Sequence, residues 1–149
     1  MNLDDYIGPF LGKTVKKIEN HLQKTFEHEK LDLTKEQVII LKNLYNKDGI
    51  NQNELAALTL RDKSSLTRLL TKMETKNYVF RKKCNDDKRS KNVFITPLGK
   101  SVFEKGIPSL KKVLSQVEEN ISAKEKQQII TILEKIQNNV CSEKNKTTN

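Results

Sequence analysis

The stretch NQNELAALTLRDKSSLTRLLTKMETKNYV, residues 51–79, holds two helices in close succession. Its first four residues, Asn51-Gln-Asn-Glu54, place a side-chain acceptor three positions before a glutamate. The first can cap an orphan amide and the fourth can reach back, which predicts a short helix from Gln52 to about Leu58. Beyond a brief break, Leu66, Leu69, Leu70 and Met73 recur at spacings of three and four. A second helix is therefore predicted over 63–76, with these side chains inward and Lys63, Ser64, Ser65, Thr67, Arg68 and Lys72 outward. Asn77, a residue that tolerates the left-handed conformation, closes it.

Downstream, residues 78–84 and 92–96 gather β-branched and aromatic side chains on either side of the polar stretch Asn85-Asp-Asp-Lys-Arg-Ser-Lys91, which predicts a two-stranded hairpin with a long exposed tip. Tyr78, Phe80 and Phe94 could stack on unpaired bases, but aromatics at strand positions usually pack beneath a hairpin, and packing is the expectation here. Thr96-Pro97 starts another helix, with proline at the first position, where its missing N–H costs nothing. Its apolar series, Leu98, Val102, Leu110, Val113, Leu114, Val117 and Ile121, is interrupted at Gly106-Ile-Pro108, where a kink is expected. Ser122-Ala-Lys-Glu125 opens a last helix carrying Ile129, Ile132, Leu133, Ile136 and Val140, and the polar tail 142–149 is predicted to be disordered. Upstream, Thr34-Lys-Glu-Gln37 starts a helix over about 35–47 that should bury Val38, Leu41 and Tyr45 and end at Asp48-Gly49. Ahead of it, Ile7, Leu11, Val15, Ile18, Leu22 and Phe26 form one stripe on a long first helix, whose regular part is expected to begin near Gly8 and Pro9.

The implied fold class is mainly α with a small β-hairpin wing. Three helices followed by a hairpin is the order of a winged helix-turn-helix, in which the last of the three helices enters the major groove and the hairpin reaches the neighbouring backbone or minor groove. Charge supports this reading. Of a formal net charge of +9, residues 61–105 carry +8, from 13 Lys or Arg against 5 acids. A positive field concentrated on one stretch suits a polyphosphate partner, because neutralising phosphates releases condensed counterions; a solvated Lys-rich surface is the plainer alternative. An outward Arg can grip guanine as a fork, whereas Ser, Thr and Lys hold phosphates or make adaptable base contacts.

The same residues resemble the MarR family of bacterial transcription regulators. The resemblance is carried by LDLTKEQVIIL (31–41), by the helix-turn-helix stretch 51–79, and by DDKRSKNVFITPLGK (86–100); its most specific part is the wing signature Asp87-Lys88-Arg89-Ser90 followed by Thr96-x-x-Gly99. It implies that Arg89 at the wing tip inserts into the minor groove, that Asp87 helps to orient it, and that Lys88 and Ser90 belong to the same DNA-binding set. Asn77 stands where a glycine is usual, a mild departure since both take the same backbone conformation. The family also implies a homodimer whose first and last helices interlock, here with Leu11, Val15, Leu133 and Ile136 among the contacts, and a small-molecule effector that no residue identifies. Long apolar stripes on 7–26 and 110–140 ask independently for a cover, and a second copy is the simplest.

The expected organisation is one domain over 1–149: a winged helix-turn-helix lobe at about 34–96, dimerisation helices at about 4–30 and 97–141, and the tail. The expected function is a sequence-specific transcription regulator, a repressor, acting on double-stranded DNA at an inverted-repeat operator; the alternative is a sequence-indifferent DNA-binding or protein-interaction module. MNLDDYIG has no basic leader, the longest strictly aliphatic run is 38–41, and two cysteines far apart suggest neither a disulfide scaffold nor a zinc site, so a cytoplasmic protein with no membrane segment is expected. No glycine-rich phosphate loop and no convincing Ser, His and acid set is present, so neither enzymatic activity, a catalytic residue nor a cofactor is expected. Cys84 follows Arg81, Lys82 and Lys83, whose charge would lower a thiol's pKa, yet it reads as an ordinary strand residue. His21 and His28, seven apart, are too distant for one local chelate, and no metal site is expected.

Overall fold

A computed structural model describes residues 1–84 and 90–142. The elements are a 3₁₀ turn at Leu3–Asp5, then α1 (Ile7–His28), α2 (Lys35–Asn46), β1 (Ile50–Asn51), α3 (Gln52–Leu58), α4 (Lys63–Thr75), β2 (Val79–Lys83), β3 (Lys91–Ile95), α5 (Pro97–Val117) and α6 (Ala123–Ser142). The described residues divide into two compact units, the first Met1–Val113 and the second from Leu114 onward.

Local chemistry sets most boundaries of the first unit. Helix α1 starts at Ile7, ahead of Gly8 and Pro9, because a proline in the first turn forfeits an amide that has no partner there in any case. Thr34 and Gln37 form a full capping box at α2, with Gln37 N–H donating to Thr34 Oγ1 at 3.3 Å and Thr34 N–H donating to Gln37 Oε1 at 3.1 Å. Asp62 caps α4 by accepting from Ser65 N–H at 2.8 Å, and the helix begins at Lys63, where its spacing predicts. Asn77 closes α4 at φ +59. Helix α5 continues through the segment where a kink was expected, with Pro108 inside it. One lost backbone bond is offset there by burial of Phe103, Gly106, Ser109 and Val113 on its inner face.

The sheet has three strands, not the two of a simple hairpin. Strand order is β1-β3-β2, all antiparallel, with Ile50 opposite Val93 and Val79 opposite Ile95. A two-residue strand has no periodicity to read, so β1 is invisible to pattern. Beyond it, Asp48 Oδ1 accepts from Ile95 N–H at 2.9 Å and completes that edge.

The core of this unit is one cluster in which Phe26, Ile40, Leu41, Leu55, Leu66, Leu70, Met73 and Val93 are fully enclosed. Two aromatic expectations change. Phe80 and Phe94 face each other across the pair on the outer side of the sheet, with ring centroids 5.2 Å apart and Lys82 Nζ above both, while Val79 and Val93 fill the inner side. Strand alternation allows only one of the two sets inside. Tyr45, expected in the core, is 41 % exposed; its ring packs on Phe103 and its hydroxyl donates to Glu104 Oε1 at 2.9 Å, so its polar tip stays at the surface.

In the second unit, a turn through Asn120 at φ +60 leads into α6, which opens with reciprocal bonds between Ser122 and Glu125. Lys126 pairs with Glu118 at 2.7 Å. None of the described α6 side chains is buried; Leu133 and Ile136 are half-buried and Ile129, Ile132 and Val140 are exposed. Among the described residues no helix is long and apolar enough to cross a membrane.

Candidate nucleic-acid interface

Helix α4 is amphipathic by construction. Leu66, Leu70 and Met73 are wholly enclosed, which anchors one face and turns Lys63, Ser64, Thr67, Arg68 and Lys72 to the outside, all exposed. Ser65 is half-buried, and Arg61 donates to its hydroxyl at 2.7 Å. Asp62 at the cap and Lys63 in the first turn stand at the positive end of the helix dipole, where a phosphate is favoured.

Two fixed contacts hold this helix to its neighbours. Arg81 on β2 is ion-paired through Nε with Glu74 and donates to Thr71 Oγ1 at 3.2 Å, which ties the later turns of α4 to the sheet. At the other end Gln52, the first residue of α3, donates from Nε2 to Thr67 Oγ1 at 2.9 Å. The base of the wing is similarly tied, because Cys84 N–H donates to the Ser90 carbonyl at 2.9 Å and Asn51 donates to Ser90 Oγ. Cys84 is half-buried and Cys141 is exposed.

The residues predicted from sequence are not brought into one place. Lys63, Thr67 and Ser90 line a cleft of about 270 Å³ with Gln52, Asn53, Arg81 and Lys91. Ser65, Arg68 and Lys72 line a second cleft of about 330 Å³ on the opposite flank of α4, with Thr34, Glu36, Gln37, Arg61 and Leu69. The exposed polar face of α4 therefore forms a ridge between two hollows, each bordered by cations. Asp87, Lys88 and Arg89 lie outside the described residues. Gln52, Asn53, Arg61, Arg81 and Lys91 were not selected from the sequence. Only the unbroken basic run Arg81-Lys-Lys83 gave a signal, and it could not say which of its three side chains turns toward α4. Of the four residues expected at a dimer contact, Val15 is exposed, whereas Leu11, Leu133 and Ile136 are half-buried.

Glu19 is held below the usual carboxylate range by its hydrogen bond to Lys35. Burial pushes the Tyr78 hydroxyl above the usual phenol range, with the neighbouring Asp32 side chain adding to it. Neither group lies on the exposed face of α4. The chemistry that face offers is that of cationic and hydrogen-bonding side chains.

An exposed polar helix backed by a helix-turn-helix core and flanked by a β-hairpin defines a winged helix-turn-helix protein. Residues 33–91 match the sequence profile of the MarR family. The chain is 30% identical over 113 residues to the transcriptional regulator HosA of Escherichia coli O127:H6, a match covering 76% of this chain and 84% of that protein. Among solved structures it is similar to a MarR protein from Peptoclostridium difficile, at 27% identity and a TM-score of 0.82 over 95% of this chain and 92% of that one. It is also similar to a mutant E. coli MarR crystallised with operator DNA, at 24% identity and a TM-score of 0.82 over 91% and 99% of the two chains. The chain belongs to the MarR family and is a transcription regulator, not an enzyme.

Proposed function

We propose that the protein binds double-stranded DNA as a homodimer in the cytoplasm, represses transcription from an inverted-repeat operator, and is released by a small-molecule ligand. The observation that carries this reading is the α4 ridge. Lys63, Ser64, Thr67, Arg68 and Lys72 stand exposed on a helix whose other face is locked by three fully enclosed side chains, within the block that holds nearly all of the chain's excess charge. A rigid helix with a short, donor-rich face is what a major groove accepts. The E. coli relative crystallised with operator DNA supports the same assignment.

In this reading Arg68 reads a base edge, Lys63, Lys72 and the hydroxyls of Ser64 and Ser65 hold phosphates, and Arg89, oriented by Asp87 and flanked by Lys88 and Ser90, enters the minor groove. The dimer is supported by apolar side chains left uncovered on the described chain, among them Ile7, Phe10 and Val15 of α1 and Ile129, Ile132 and Val140 of α6. Two-fold symmetry then sets half-site centres about one helical turn, roughly 10 base pairs, apart. Selection of bound fragments from random and genomic DNA tests the reading: an enriched inverted repeat of that spacing is expected. Uniform recovery of all sequences, with affinity set by salt alone, sinks it in favour of sequence-indifferent binding.

A further inference from the structure

The first two residues at the start of α3 make more hydrogen bonds than a helix start requires. Asn51 Oδ1 accepts from Asn53 N–H at 2.9 Å and so caps α3. Its Nδ2 donates to Ser90 Oγ at the base of the wing, and its backbone is paired with Asn92 in β3, so the side chain is held while it does both jobs. The next side chain points elsewhere: Gln52 Nε2 donates to Thr67 Oγ1 at 2.9 Å. Thr67 gives its one hydroxyl hydrogen to the Lys63 carbonyl at 2.8 Å, so toward Gln52 it is an acceptor, locked in one orientation. Serine would cap α3 as well as asparagine does, but it has no second group to send to the wing.

We propose that Asn51 and Gln52 are positioning residues that fix the wing base and the exposed helix α4 in one mutual geometry. The proposal rests on the DNA-binding reading above. Two contacts on one duplex reinforce each other only if their separation is held near the value the duplex imposes, and ordering them in advance removes a cost otherwise met on binding. The Arg81 clamp secures the far turns of α4 to β2, and the Asn51-Gln52 pair secures the near end beside Lys63. Between them they bond α4 to its neighbours at two points along its length.

The test has one arm without DNA and one with it. In the free protein the Cys84 amide, which donates to the Ser90 carbonyl, reports on the wing base through hydrogen exchange. Asn51→Ser keeps the cap and deletes the tether, and should speed that exchange by roughly twofold to tenfold, the weight of one hydrogen bond. Asn51→Asp caps equally, can accept from the Ser90 hydroxyl, and should restore the slow rate. With a fragment selected by the wild-type protein, Ser90→Ala and Asn51→Ser should each weaken binding by roughly twofold to tenfold, and the double variant should bind like either single one. Gln52→Ala should add a further loss of similar size. Unchanged Cys84 exchange in Asn51→Ser, or losses that multiply in the double variant, overturns the tether, and wild-type affinity in Gln52→Ala overturns the second strut. If the wild-type protein selects no DNA, the DNA-binding reading falls by itself, and the exchange arm still decides whether Asn51 holds the wing.

Discussion

The carbonyl oxygen of Tyr78 occupies the space that a side chain at residue 99 would need: a β-carbon on Gly99 would lie 2.1 Å from it. The same carbonyl accepts from Thr96 N–H at 3.0 Å, Gly99 N–H donates to Thr96 Oγ1 at 2.9 Å, and the Thr96 hydroxyl donates to the Asn77 carbonyl at 2.6 Å. Thr96 and Gly99 thus clasp the first turn of α5 onto the end of α4. Gly99→Ala should destabilise the fold by about 2–4 kcal/mol, since the obstacle is backbone and cannot rotate away. Urea unfolding followed by circular dichroism measures it, and a loss under 0.5 kcal/mol would refute the clasp.

Leu60, in the turn between α3 and α4, presents the opposite case. It sits at φ +53 with its side chain 95 % exposed, so it bears left-handed strain and gains nothing from burial. Leu60→Asn should raise stability by about 0.5–1 kcal/mol, because asparagine takes this conformation more readily. The melting temperature should rise by a few degrees, and a fall would mean that Leu60 makes a contact in the assembled protein.

Tyr78 gives a pH signature. Its hydroxyl donates to the Asp32 carbonyl at 2.8 Å, and burial is the main cause of its raised pKa. A folded pKa above the unfolded one means that the group's contribution is whole below the usual phenol range and is lost as pH rises through the folded value. Tyr78→Phe should therefore cost about 1 kcal/mol at neutral pH, and the gap between variant and parent should narrow in strongly alkaline solution. A gap that widens there would contradict the sign.

On DNA, helix and wing should fail differently. Arg68→Ala should cost about 1–3 kcal/mol on the preferred site and relax preference at one base pair per half-site. Arg89→Ala should weaken many sites alike and reduce the salt slope by about one, and Asp87→Ala should reproduce part of that loss despite adding positive charge. Affinities on the operator, on its single-base variants and on unrelated DNA at several salt concentrations separate them. Tighter binding by Asp87→Ala would make Asp87 a mere unfavourable charge, and a uniform loss in Arg68→Ala would make Arg68 a phosphate contact.

Dimer formation is checked by charge insertion. Ile136→Glu on α6 and Val15→Glu on α1 should each shift the protein toward monomer in sedimentation at micromolar concentration, because a carboxylate in an apolar contact is left unpaired. Wild-type protein that sediments as a monomer and still binds DNA tightly would remove the dimer from the reading.

Helix starts were legible because a cap is a conversation within four residues. Thr34 with Gln37 and Ser122 with Glu125 each signal and satisfy their own amides locally, and Thr96-Pro97 marks the start of α5 by its proline. The inward set of α4 was legible for the same reason, since Leu66, Leu70 and Met73 advertise a helical period. Leu69 is the exception of that series, half-buried at the edge of the second cleft.

The order of the helices and of the two hairpin strands, the outward polar face of α4 and the concentration of charge were thus determined by the sequence alone, because caps, periods and charge counts are properties of neighbouring residues. Only the tertiary structure decided that Ile50–Asn51 adds a third strand, that Phe80 and Phe94 stack on the outer face, and that the α4 ridge divides its residues between two clefts. It alone joined Asn51 to Ser90 and Gln52 to Thr67. Such pairs lie many positions apart, and their partners are chosen by how the chain returns on itself once Leu66, Leu70 and Val93 are buried, a choice that no local pattern encodes.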